Sequence, residues 1–143
     1  MNFLLDTNVV SEWARPRPDP NVVRWLLEAD EDSLYLSVLT FAEIRMGIES
    51  MQPGQRRESL DRWLDDELTE RFEPRILNVD LAIARAWGGL VTRSQRIGAN
   101  LGAMDALFAA TAQVYGLTFV TRNMRHFDRL GIALLNPWLP PSI

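Results

Sequence analysis

Apolar residues along the chain fall into short runs that alternate with longer stretches at three- and four-residue spacing. Phe3-Leu4-Leu5 predicts a buried strand, followed by helical Val9 to Ala14. Asn21 to Glu28 reads as a helix, with Val22, Trp25 and Leu26 on one face. Leu34 to Val38 is strand-like and Phe41 to Met51 helical, and Leu60, Trp63, Leu64 and Leu68 mark a further amphipathic helix. Ile76 to Val79 predicts a short strand, and Leu81 to Arg96 a helix broken or kinked near Gly88-Gly89. Met104 to Tyr115 predicts a helix stopped by Gly116, a left-handed C-terminal cap position. Leu117 to Thr121 and Ile132 to Leu135 complete the strands.

The punctuation supports this reading. Three prolines at alternate positions in Arg15-Pro16-Arg17-Pro18-Asp19-Pro20 stop any helix there. Gln52-Pro53-Gly54 makes a second break, and Asn136-Pro137-Trp138-Leu139-Pro140-Pro141 a third. Strand and helix alternate about five times, which predicts an α/β fold: a sandwich around a mostly parallel five-stranded sheet flanked by helices. With 143 residues, no repeat and no long linker, one domain over 1–143 is expected.

Composition narrows the chemistry. Hydrophobic residues at 47% and charged residues at 24% exclude a disordered tail, a collagen-like fibre and a coiled coil. No apolar run approaches the roughly 20 residues that span a bilayer. Met1 to Asp6 lacks a basic segment and meets an acid too early for a signal peptide, so a cytoplasmic location is expected. Absence of cysteine excludes disulfides, thiolate nucleophiles and Cys-zinc sites. All 15 basic residues are arginine. That removes Walker-type phosphate loops and Schiff-base chemistry, both of which need lysine, although arginine usage of this kind also follows from a GC-rich coding sequence. A net charge of −4 argues against binding nucleic acid through overall charge alone.

In open parallel sheets, sites form beyond the carboxyl ends of the strands. Asp6-Thr7-Asn8 follows the first predicted strand, and Thr40 and Glu43 the second, on the first turn of the next helix. Thr121-Arg122-Asn123 follows the fourth, and Asp105 opens the Met104–Tyr115 helix. Each has a purely structural reading as well. Thr40 and Glu43 have capping-box spacing, Asp6 suits an Asx turn with Asn8 as helix cap, and Asp105 complements a helix dipole. Convergence favours chemistry. Carboxylates about 5 Å apart repel by roughly 3 kcal/mol per pair at an effective dielectric of 20, which a cation or a shared proton must relieve. An all-oxygen set suits Mg²⁺ or Mn²⁺, and a divalent cation there activates water for phosphodiester cleavage. Thr7 or Thr121 could orient the water or a phosphate, and Arg122 and Arg125 either contact flanking phosphates or are solvated surface charge.

Leu4-Leu5-Asp6-Thr7-Asn8-Val9-Val10-Ser11-Glu12 resembles the opening motif of PIN-domain ribonucleases, specifically the VapC-type toxins of bacterial toxin–antitoxin pairs. Thr40 to Gly47, Met104 to Ala112, Val120 to Asn123, His126-Phe127 and Asn136-Pro137-Trp138 match in the same order, over essentially the whole chain. The proline-rich loop and the Thr-Arg-Asn form are similar to the FitB-like branch. The resemblance implies a PIN-like α/β/α sandwich and a Mg²⁺-dependent endoribonuclease. Asp6, Glu43 and Asp105 are then the acidic metal-site residues, with Thr121 and Asn123 completing the catalytic set. Its fourth acidic position falls on Asn123, which carries no charge and weakens a second metal site; Asp128 is a more distant substitute. It further implies an RNA substrate, a homodimer, and inhibition by a cognate VapB-like antitoxin through which alone DNA is contacted.

Other side chains carry less. His126 is the only histidine, and a loop-anchoring role beside Phe127 is expected. Trp13, Trp25, Trp63, Trp87 and Trp138 are expected to pack in the core or an interface. An aspartyl-phosphate phosphatase or a phospho-receiver domain would need a lysine, and Asn8 stands where such phosphatases place a second Asp. The rival of a different class is a PIN-like binding module that cleaves poorly and acts mainly in an antitoxin–promoter DNA complex.

Overall fold

The computed structural model describes residues 1–141. Five strands form one sheet in the order β3-β2-β1-β4-β5, with β1 at Phe3–Leu5, β2 at Leu34–Ser37, β3 at Ile76–Leu77, β4 at Thr118–Val120 and β5 at Leu134–Leu135. All four pairings are parallel, so every carboxyl end faces the same edge. The central strand β1 has Phe3 opposite Leu34 on one side and Thr118 on the other.

Both faces of the sheet are covered, which explains why the strands are unbroken apolar runs instead of alternating ones. Leu5, Leu34, Leu36 and Val120 pack into one core with Val9, Val22, Ile48, Leu64 and Phe72. Leu4 and Phe119 point the other way, onto Ile83, Leu90, Phe108 and Ala109. The first layer comprises α1 (Thr7–Glu12), α2 (Pro20–Glu28), α3 (Val38–Glu49), α4 (Gln55–Arg62) and α5 (Thr69–Phe72). The second comprises α6 (Leu81–Arg96), α7 (Ala103–Tyr115) and the short α8 (Met124–Phe127). The expected α/β/α sandwich is therefore present, with a fully parallel sheet. The five tryptophans are each half-buried against these two cores, as expected.

Four details differ from the sequence reading. The helix after β2 starts at Val38, not Phe41, because the Ser37 hydroxyl accepts the Leu39 amide and caps it. Thr40 is thus inside the helix and forms no capping box, and Glu43 lies in the second turn. The cap position of α1 is Asp6, and Asn8 sits within the helix. α6 runs unbroken through Gly88-Gly89, since Ile83, Ala86, Trp87 and Leu90 anchor both halves against α7 and outweigh about 1 kcal/mol per glycine. The Leu60–Leu68 stretch is not one α-helix: α4 passes into a π-helical turn at Trp63–Leu68 before α5. Gly116 closes α7 as expected, at φ 63°.

Candidate active site

Asp6 is the first residue past β1, and its backbone N–H donates to the Val120 carbonyl of the neighbouring β4 (2.9 Å). Its main chain is therefore held by the sheet itself. Its side chain makes no cap to α1; instead Oδ2 accepts the hydroxyl of Thr121 at 2.7 Å. Thr121 is fully buried at the end of β4, and its Oγ1 also accepts the Asn123 backbone N–H at 3.1 Å. One hydroxyl thus ties Asp6 to the start of α8. The Asn123 side chain is exposed beside it.

Glu43 reaches the same edge from α3. Its Oε1 accepts the Thr7 hydroxyl at 2.5 Å, and Thr7 Oγ1 lies 3.2 Å from that of the buried Thr40. Asp105 arrives from the first turn of α7, where its Oδ2 is 3.4 Å from His126 Nδ1 on α8. That contact was not foreseen. His126 also lies beside Phe127, ring centroids 6.2 Å apart, and Phe127 stacks edge-on against Phe119 of β4, so the expected anchoring of the loop is present too. Nothing in the sequence pairs positions 105 and 126; the start of α7 and the short α8 beyond β4 bring them together.

The electrostatics follow from these positions. Burial pushes the Asp6 carboxyl up to about 6. The Thr121 hydroxyl and the Thr7 amide pull it down, and the negative charges of Glu43 and Asp105 push it up further. No arginine acts on it. Arg45, two residues from Glu43, turns away to Asp61 and Asp65 of the α4–π segment. Arg122 lies over the Trp138 ring at 5.4 Å, and Arg122 and Arg125 are both exposed. Asp128 is the C-cap of α8, beyond the turn that carries Asn123.

Three acids from three elements thus share one electrostatic field at one edge, and among the described residues no arginine forms an ion pair with Asp6 or shifts its carboxyl. The oxygen-only donors suit a hard divalent cation. As oriented, no three acidic or histidine side chains among the described residues close around a single point: Thr121, Thr7 and His126 each hold one carboxylate apart. A cation drawn to Asp6 would meet prepositioned donors, not a finished cage.

A fully parallel sheet between two helical layers, with acids gathered beyond its carboxyl ends, is the architecture of a PIN-like α/β/α fold. The PIN-domain family model matches residues 3–133, and the chain belongs to that family. It is 35% identical over 138 residues to the VapC ribonuclease Y4jK of Sinorhizobium fredii, covering 96% of this chain and 99% of that protein. To the Toxin FitB of Neisseria gonorrhoeae it is 36% identical, covering 95% and 98%. Among solved structures it resembles FitAB bound to an IR36 DNA fragment, with TM-score 0.93 and 33% identity over 98% of each chain.

Proposed function

We propose that this chain is a Mg²⁺-dependent endoribonuclease of the VapC kind, a toxin silenced by a cognate VapB-like antitoxin. The observation that carries the reading is Asp6. It is a carboxyl fixed at the end of the central strand, its pKa pushed up to about 6 chiefly by burial and further by the charges of Glu43 and Asp105. The relative named a ribonuclease supports the reaction class.

In this reading Asp6, Glu43 and Asp105 hold the cation, Mg²⁺ or Mn²⁺. When bound, it supplies positive charge for the phosphate and activates water. The chain's own groups do the rest. Thr121 fixes Oδ2 of Asp6 and leaves its other oxygen for ligation. Thr7 orients Glu43. Asn123 offers a neutral amide next to the phosphate path. Arg122 and Arg125 lie on the flank where the RNA backbone would pass. The protein works as a cytoplasmic homodimer, and the DNA-bound FitAB neighbour suggests that DNA is reached through the antitoxin.

Asn123 supports one other reading, a binding module that cleaves poorly, because an amide weakens any second cation site. Purified antitoxin-free protein incubated with total RNA in Mg²⁺, Mn²⁺ or EDTA separates the two. Metal-dependent cleavage lost in Asp6→Ala and Asp105→Ala supports the nuclease. Folded protein that binds its antitoxin yet cuts nothing with either metal sinks it.

A further inference from the structure

The carboxylate edge does not end at Glu43. A groove of about 290 Å³ opens from Thr7 and Glu43 and runs between α3 and α4 to Trp63, with Arg15 and Arg56 at its rim. Its walls are apolar, from Ile44 and Leu60 among others. At Gly47 an added Cβ would meet nothing within 4 Å, so the groove is open along α3. Trp63 is the first residue of the π-helical turn, a rare distortion found often at functional sites.

We infer that this groove receives an unpaired nucleobase of the RNA next to the scissile phosphate, with Trp63 as its stacking partner and Arg15 and Arg56 on the adjoining phosphates. The inference rests on the ribonuclease reading for its substrate class. Three observations select the occupant. First, the groove shares Thr7 and Glu43 with the carboxylate site, so a nucleotide whose phosphate lies at that site has its base within reach. Second, an apolar slot with an indole and no acid except at the site end suits a flat aromatic heterocycle, because any base presents a π-face. Third, the rim charges are both guanidinium groups. Arg15 Nε pairs with Glu12 and Arg56 Nη2 donates to the Ala14 carbonyl. Each arginine has five N–H donors, so donors remain for phosphate while these contacts fix the side chain. Specificity for a base at one position then resides in the wall around Trp63, separate from the cleavage chemistry.

The test uses equilibrium binding, so it does not depend on cleavage. Fluorescent single-stranded homopolymers of each base are titrated onto the Asp6→Asn protein, alone or combined with Gly47→Met, Trp63→Ala or Trp63→Phe, with thermal melts to verify folding. The expected result is a preference among the bases, weakened at least about tenfold by Trp63→Ala and by Gly47→Met, whose added Cβ starts in open space, and kept within about threefold by Trp63→Phe. Unchanged RNA binding in folded Gly47→Met overturns the inference, as does the absence of any RNA binding. If that variant instead loses only its antitoxin, the groove belongs to the protein partner and the inference fails. Groove-dependent binding by a wild-type protein that cuts no RNA leaves the base pocket standing and removes the nuclease reading.

Discussion

Thr121 and Asp6 are 115 residues apart in sequence and 2.7 Å apart in space, with the buried hydroxyl donating to the carboxylate. The same oxygen accepts the Asn123 amide, so one hydroxyl serves two groups at this edge. Thr121→Val keeps the shape and removes both bonds. Leaving buried polar groups unpaired costs about 1–3 kcal/mol, which urea denaturation would read. The loss also raises the Asp6 carboxyl further, because the hydroxyl is the stronger of the two hydrogen bonds that pull it down, ahead of the Thr7 amide.

Asp6 makes metal-free stability depend on pH. Its folded value of about 6 lies above its ordinary 3.8, so the folded state holds the proton more tightly than the unfolded chain. Its favourable contribution is complete below about pH 4 and is lost as pH rises through 6. At pH 7.5 in EDTA, Asp6→Asn should therefore be more stable than wild type, by about 3 kcal/mol at most. The difference should vanish near pH 3.5. Equal melting curves at pH 7.5 would contradict the assignment.

Cation binding should reverse that sign. Mn²⁺ at a hundred times its dissociation constant adds about 2.7 kcal/mol to stability, visible as a raised Tm in wild type. Asp6→Asn and Asp105→Asn should lose most of the rise. Because the ionised carboxylate is the ligand, Mn²⁺ affinity should fall about tenfold per pH unit below 6. A Tm insensitive to Mn²⁺ in wild type would remove Asp6 from the metal site.

Glu12 is buried at 3% exposure yet belongs to no site. Its Oε1 accepts the Asp19 amide at 3.1 Å, and its Oε2 lies 3.0 Å from Arg15 Nε but off the hydrogen-bonding direction, so that contact is Coulombic. The carboxylate thus pins both ends of the proline-rich loop. Glu12→Ala should cost about 1–3 kcal/mol and expose residues 15–19 to protease. Glu12→Gln, which still accepts from Asp19, should cost less.

The strands and the acid positions were legible because a strand buried on both faces is an apolar run, and because sites collect where such runs end. Leu5-Asp6 and Val120-Thr121 announce themselves in this way. The start of α6 at Leu81 was legible as well; the start of α3 was not, because Ser37 caps it four residues ahead of Phe41, where the apolar periodicity begins. Glu43 reaches the carboxyl edge from α3 all the same, and with Thr40 inside the helix the capping-box reading falls away. The π-helical turn has no sequence mark, since Trp63, Leu64 and Leu68 fit α-spacing equally well. The Asp105–His126 contact depends on how two helices pack behind the sheet, and no local pattern encodes that.

The parallel sheet also sets when the protein can become harmful during its own synthesis. Its central strand is made first, yet one of that strand's two neighbours, β4, is almost the last to be made. Asp6 has neither its backbone partner at Val120 nor its hydroxyl at Thr121 until that segment has left the ribosome. An interrupted translation product carrying the first two acids alone has no assembled cleft. On the proposed assignment of Asp6, a toxin built in this order would stay inert as a nascent chain, and its partner need only be ready when synthesis is nearly complete.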